Sequence, residues 1–394
     1  MRFLHTSDWH LGRRFHGEDL IDAQRKVLDH ICDTVRTEQV DALLVAGDVY
    51  DRAIPSLDAV RLFSHALHQL ADLDIPTILI SGNHDSAHRL GVGAGLLARA
   101  RVHLRTDPAD IGIPVLLQDA DGPVAVYAVP YLEPTLVRTH LDAEAASHQA
   151  VLTAALDRVR ADLATRPEGT RSVVLAHAFI TGASAPAGET DSERNISVGG
   201  IAHAGAAVFA GIDYAALGHL HRPQRVTDTA HYSGSPLAYS FSEAGHTKSL
   251  TLVDLPAGAA PTVTRSPLPP DLRLPLARLT GRLEDLLTDP AHEALTGYWL
   301  HVTLTDSARP YEPMARLKQR FPHTLQLEHV PAAIPAQATT TPTYSERLRG
   351  RGDLDITHDF IATVRGTEPT DDERALLREA IDGSRIGAQE KEAV

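Results

Sequence analysis

Apolar and polar positions in the first two thirds of the chain follow two alternating periods. Short apolar runs, "DALLVAGD", "IPTILISGNHD", "RSVVLAHA" and "DYAALGHLH", are bounded by glycine or polar residues and predict buried strands. Between them, segments 20–37 and 56–73 carry apolar residues three and four apart. In the first of these, Ile21, Gln24, Leu28, Ile31 and Val35 recur on one face, which predicts an amphipathic helix. Strands alternating with helices predict a layered α/β fold in which helices cover the sheet faces.

The pattern breaks at "PAGAAPTVTRSPLPPDLRLP", residues 256–275, whose prolines read as a boundary. Beyond it, "LARLTGRLEDLL", "YWLHVTLTD", "YEPMARLKQRF" and "TLQLEHV" predict a small α+β unit ending near residue 330. A second linker, "PAAIPAQATTTPT" at 331–343, precedes two short amphipathic helices. The expected organisation is therefore 1–255, 271–331 and 332–394.

Composition adds bounds to this picture. With 394 residues, 43% apolar and 22% charged, the chain is long enough for a sizeable core. The single cysteine, Cys32, cannot form an intramolecular disulfide, which points to a reducing compartment, and its place beside the helical apolar face predicts a packed core residue. No run of 18 apolar residues occurs, and no charged-then-apolar leader precedes Asp8, so a cytoplasmic protein without a membrane span is expected. A net charge of −14 argues against a free-standing nucleic-acid binder, since phosphate backbones are held mainly by Lys and Arg. A partner or a metal has to offset it.

Chemistry concentrates where the predicted strands end. Asp8 and His10 lie two residues apart after the first apolar alternation, as do His219 and His221 in "LGHLH". In extended chain, residues i and i+2 project to one side, so each pair is expected to point into one site. Asp48 follows "DALLVAG", Asn83 and His84 follow "PTILISG", and His177 follows "SVVLA". A lone histidine after a strand is usually a hydrogen-bonded loop residue. Seven ligand-type residues besides His84, each placed after an apolar run, predict a metal site, because ligands of α/β sheets gather at carboxyl ends of strands.

The order "DWH", "GDVYD", "GNHD", "LAHA", "GHLH" resembles the calcineurin-like metallophosphoesterases. Within them, "TSDWHLG", "GDVYDRAIPS", "GNHDS", "ISVGG" and "YSGSPLAYSFSEAGHTKSL" are similar to the SbcD-type subunits of bacterial SbcCD nucleases. The resemblance implies a layered sandwich of sheets flanked by helices, with a small α+β cap over DNA and a C-terminal two-helix partner-binding tail. It also implies two divalent ions bridged by Asp48, with Asp8, His10 and His221 completing one site and Asn83, His177 and His219 the other. Mixed oxygen and imidazole donors without a thiolate favour Mn²⁺, with Mg²⁺ as the second choice. His84 is then the catalytic histidine, oriented by the Asp51 carboxylate, and Asp85 is a turn residue. Arg13, Arg14, Arg52 and Arg89 flank the motifs as candidates for DNA phosphates, whereas Trp9 is expected to pack.

In the tail, Ile356, Phe360, Ile361 and Val364 fall on one helical face. Thr370 and Glu373 have capping-box spacing before Leu376, Leu377, Ala380 and Ile381. Two helices of this length cannot bury two apolar faces alone, so they are expected to dock, and the resemblance names the coiled coil of an SbcC-like ATPase as the partner. From residue 351 onward there are 11 acidic and 6 basic residues, so this end is not a DNA-binding arm. The implied activity is single-strand endonuclease and, with the ATP-using partner, 3'-5' exonuclease on duplex ends and hairpins. The resemblance further implies a nucleoid-associated role in DNA repair, recombination and replication, as a homodimer within a heterotetramer, with helices 20–37 and 56–73 as candidate dimer surfaces. Two rival readings remain from the residues: a small-molecule or cyclic-nucleotide phosphodiesterase, and a metal-bound scaffold for the ATPase that does not cut.

Overall fold

The computed structural model describes residues 1–182, 203–331, 352–365 and 367–392. The "ISVGG" stretch and residues 332–343 of the expected second linker lie outside the described residues. The chain divides into two compact units, Met1–Pro331 and Ala332–Val394.

The first unit is built on two six-stranded sheets. One contains β1 (Arg2–Thr6), β2 (Ala42–Val45), β3 (Thr77–Ile80), β4 (Val102–Arg105), β11 (Ser249–Asp254) and β12 (Thr262–Pro267), in the order β12-β11-β1-β2-β3-β4. Strands β1 to β4 run parallel, while β11 and β12 join antiparallel. The other contains β5 (Val115–Asp119), β6 (Gly122–Val129), β7 (Arg171–His177), β8 (Tyr214–Gly218), β9 (Gln224–Arg225) and β10 (Ala230–Tyr232), in the order β9-β10-β8-β7-β6-β5.

Alternation along each strand decides what it packs against. Phe3, Leu44, Ile78 and Ile80 meet Val126, Val173, Leu175 and Ala216 of the second sheet in a core between the sheets. Leu4, Leu43, Val45 and Leu79 point the other way, onto α1 (Ile21–Thr37) and α2 (Leu57–Asp72). On the far side, Tyr127, Val174 and Leu217 pack on α4 (His148–Leu163), which follows α3 (Pro134–Leu141). Both faces of the central strands are buried, so their sequences read as continuous apolar runs. The result is the layered α/β sandwich expected, with Cys32 and Trp9 in its core.

The expected boundary at 256–275 is corrected by β12. Thr262, Val263 and Thr264 are good strand formers, and β12 pairs with β11 along its whole length, so the sheet runs past the expected limit at residue 255. Pro261 stands just before this edge strand and Pro267 at its last position, where prolines are tolerated. The next unit forms a three-stranded parallel sheet, β13 (Leu276–Gly281), β14 (Trp299–Leu304) and β15 (Thr324–His329), with α5 (Leu283–Thr288) and α6 (Pro313–Arg320). Its own core gathers Leu283, Leu300, Val302, Leu317 and Phe321. It does not stand apart, because Leu268 and Leu276 enter the sheet–helix core and the Trp299 ring lies 5.4 Å from that of Phe15.

In the tail unit, α7 (Asp353–Arg365) and α8 (Asp371–Glu392) contact one another. The capping box is formed: Thr370 N–H donates to Glu373 Oε2 at 2.7 Å and Glu373 N–H to Thr370 Oγ1 at 3.4 Å. Ile356, Ile361, Leu377 and Ile381 are half-buried, whereas Phe360 and Leu376 are 55% and 65% exposed. The Val364 side chain lies outside the described set. Among the described residues, no helix is long and apolar enough to cross a membrane.

Candidate metal centre

The ligand-type residues converge at the carboxyl ends of both sheets, but not by the strand geometry expected. Strand β1 ends at Thr6, and Asp8 and His10 have φ of 53° and 44°. Their common direction comes from left-handed backbone, not from a pleat, which corrects the extended-chain expectation. Asp48 (φ 50°) and His219 (φ 114°) are also left-handed. Each such residue carries strain of about 1–3 kcal/mol and needs surroundings that enforce it. Here the two loops run side by side: Asp8 N–H donates to Gly47 O at 3.0 Å, His10 N–H to Asp48 O at 3.0 Å and Leu11 N–H to Val49 O at 2.9 Å. Gly47, at φ 91°, leaves the space that the His177 ring fills, since a Cβ there would sit 2.4 Å from its Nδ1.

Among the described residues, three clusters able to hold a metal form, each with donor atoms within 4.8 Å of one another: Asp8, His10 and His221; His10, Asp48 and His84; Asp8, Asp48 and His177. Asp48 Oδ2 lies 3.6 Å from His10 Nε2 and 3.6 Å from His177 Nε2. His10 Nε2 and His221 Nε2 face each other at 3.0 Å. Asn83 Oδ1 lies 2.8 Å from His177 Nε2 and 3.4 Å from His219 Nδ1. All seven predicted ligands are therefore brought together. Burial lowers the proton affinity of His10 far below its usual value, helped by the neighbouring His221, His84 and Arg13 charges. Burial likewise lowers that of His177, outweighing the pull of Asp48 and Asp8. Burial pushes the Asp48 carboxyl up, but His177, His84 and His219 together with the His84 N–H outweigh it and hold it below the usual carboxylate value.

Neutral imidazoles and ionised carboxylates are the forms that bind cations. His10 Nδ1 and His84 Nε2 are buried without a hydrogen-bond partner. This set of oxygen and imidazole nitrogen donors fits divalent metal ions.

His84 N–H donates to Asp48 Oδ1 at 2.9 Å, which ties the two motifs together. Its Nδ1 meets Asp51, but through the main-chain oxygen at 2.8 Å. The expectation that the Asp51 carboxylate orients His84 is thus corrected. That carboxylate pairs with Arg13 at 3.1 Å and lies 3.5 Å from Arg52, because two guanidinium groups offer it more than one imidazole N–H does. Arg13, Arg14 and Arg52 line an open cleft of about 730 Å³ with Asp51 and His84. Arg89 does not line it, and donates instead to Ala53 O at 2.9 Å. Asp85 is a turn residue as read, accepting from Val49, Tyr50 and Gly82 N–H groups at 2.8–3.0 Å. Burial and the charge of Asp48 push its carboxyl up to about 7, against those three hydrogen bonds.

Sequence reasoning gave no role to a supporting layer. Gln24, counted on the face of α1, accepts from Gly12 N–H at 3.0 Å and donates to His10 O at 2.7 Å, bracing the loop that carries Asp8 and His10. Ser7 Oγ donates to Asp8 Oδ2 at 2.5 Å. The buried Glu243 and Lys248 stand behind His221. A polar residue on an otherwise apolar helix face was the one signal for Gln24.

Residues 1–223 match the calcineurin-like phosphoesterase family, and residues 273–364 match SbcD_C, described as the type 5 capsule protein repressor C-terminal domain. Similar solved structures include TT1561 of Thermus thermophilus, 13% identical, covering 67% of this chain and 98% of that one with a TM-score of 0.39. An archaeal phosphodiesterase is 10% identical, covering 67% and 99%, with a TM-score of 0.29. The Thermus thermophilus sulfate thiohydrolase SoxB is 15% identical, covering 68% and 56%, with a TM-score of 0.33.

Proposed function

Because the chain belongs to the calcineurin-like phosphoesterase family, we propose that it is the nuclease subunit of an SbcCD-like complex, hydrolysing DNA phosphodiesters. The observation that carries this is the arginine-lined cleft opening on His84 beside the Asp/His cluster, in a chain that also matches the SbcD_C domain. Asp48 would bridge two ions, since its Oδ2 stands equally far from a histidine of each proposed set. Asp8, His10 and His221 would complete one site and Asn83, His177 and His219 the other, with Mn²⁺ as the preferred metal. When bound, two such ions activate water and neutralise phosphate charge.

The protein's own residues do the rest. The Asp51 carbonyl fixes the His84 proton on Nδ1, leaving Nε2 as the position that exchanges a proton with the phosphodiester or its leaving oxygen. Arg13, Arg14 and Arg52 hold the backbone phosphates; Arg13 is pre-set by Asp51 and by stacking over Tyr239 at 5.4 Å. The unit at 271–331 would cap the DNA. The exposed Phe360 and Leu376 of the tail would dock on the coiled coil of an SbcC-like ATPase, whose cationic surface would offset the net charge of −14.

The test is cleavage of single-stranded DNA by purified protein with Mn²⁺, compared with a bis-p-nitrophenyl phosphate and a cyclic-nucleotide substrate. DNA cleavage lost on chelation supports the reading. Turnover of the small substrates alone would assign the site to small molecules, and inactivity on all of them would leave a scaffold.

A further inference from the structure

Behind His221 lies a closed polar network with no role in the chemistry above. Glu243 is fully buried; its Oε1 lies 3.2 Å from His221 Nδ1 and its Oε2 lies 2.5 Å from Lys248 Nζ. The ammonium also donates to His221 O at 3.0 Å and to Ser235 Oγ at 2.8 Å, so its three N–H groups are all engaged. Ser235 N–H donates in turn to His221 O at 3.2 Å, and Tyr239 N–H to Glu243 Oε1 at 3.2 Å. The backbone and the ring of His221 are thus held by one buried ion pair.

We infer that Glu243 is a positioning residue: it fixes the Nδ1–H tautomer of His221 and so turns an unprotonated Nε2 into the Asp8/His10 cluster, while Lys248 holds Glu243 in place. An ionised carboxylate can only accept, so the ring nitrogen facing it must carry the hydrogen. The other nitrogen, 3.0 Å from His10 Nε2, then presents a lone pair to the cluster, as an acceptor or as a cation ligand. A carboxylate buried this deeply would be unfavourable alone, and Lys248 offsets its charge without competing for the ring. The inference rests on the metal-binding reading of the cluster for its consequence, but the tautomer itself can be measured without metal.

Two double variants separate positioning from simple structural support. Glu243→Gln with Lys248→Met and Glu243→Leu with Lys248→Met both remove the ion pair without stranding a charge, but only the glutamine keeps an acceptor for Nδ1–H. In EDTA, long-range ¹H–¹⁵N spectra of histidine-labelled protein should show His221 as Nδ1–H in the wild type and the glutamine variant, and not in the leucine variant. Mn²⁺ titration followed by electron paramagnetic resonance should show one of two sites weakened roughly 10- to 100-fold in the leucine variant only. A leucine variant that keeps the Nδ1–H tautomer overturns the inference, as does one that binds both ions like the wild type. If the wild type takes up no Mn²⁺ while the tautomer changes as stated, the positioning role stands and the metal-binding reading falls.

Discussion

The two sheets end differently where they meet. The first contributes Asp8, His10, Asp48 and Asn83, all from loops beyond its strands and three of them in left-handed backbone. The second contributes His177, still within strand β7, and His219 and His221 just past β8. The carboxylates therefore come from one half and the imidazoles mainly from the other, and two of the three clusters found among the described residues mix the halves. A complete donor set exists only when the sheets pack, so the largely apolar core between them is part of the site.

The sharpest way to break this comparison is to remove its shared carboxylate. Asp48→Asn should abolish Mn²⁺-dependent DNA cleavage, because an amide cannot neutralise two cations; undiminished turnover in a nicking assay would sink the bridging role. His84, from the first half but not assigned as a ligand, should behave otherwise. His84→Ser should keep bound metal and DNA affinity while losing cleavage by roughly 10²- to 10⁴-fold. Metal content by mass spectrometry decides between the roles, since a lost ion would make His84 a ligand.

The packing between the halves can be weakened directly. Leu44 is fully buried against the second sheet, and Leu44→Ala should lower unfolding free energy by about 2–5 kcal/mol in urea titrations, with weaker Mn²⁺ uptake in parallel. Normal metal affinity in a clearly destabilised variant would show that the halves converge without that core.

A subtler probe is His5, which bridges the sheets through Tyr214 Oη at 3.0 Å and Leu217 O at 3.2 Å. Burial lowers its pKa from 6.5 to about 3. The unfolded chain binds this proton first, so the contribution of His5 is full above pH 6.5 and is lost as pH falls through the window from 6.5 toward 3. The slope is at most about 1.4 kcal/mol per pH unit. In metal-free protein, the stability difference between wild type and His5→Gln should shrink from pH 7 to pH 5; a constant difference would place the proton elsewhere.

The smallest effect on chemistry is expected from the tail. Removing residues 341–394 should leave single-strand nicking unchanged while abolishing co-purification with the ATPase, and Phe360→Glu should act in the same direction. Equal recovery of the ATPase by full-length and truncated chains would show that the exposed tail residues are not its docking surface.

Much of this was legible in one dimension because local periodicity and strand-end chemistry are local facts. Apolar runs ending in Asp, Asn or His gave the buried strands β1, β2, β3, β7 and β8 and the seven ligand-type residues at or beyond their ends, and the spacing of Thr370 and Glu373 gave the capping box. The proline-rich 256–275 misled, because proline marks both linkers and edge strands, and only pairing with β11 tells them apart. Other features needed the packed molecule. Asp8 and His10 point together through left-handed backbone enforced by the neighbouring loop. Asp51 meets His84 with its carbonyl because Arg13 and Arg52 take its carboxylate. Glu243 and Lys248 reach His221 across more than twenty residues of chain. Sequence located the ligand-type groups of the cluster; tertiary structure decided which atom of each faces it and which residues stand behind them, since backbone sign and competition for hydrogen bonds depend on neighbours that are distant along the chain.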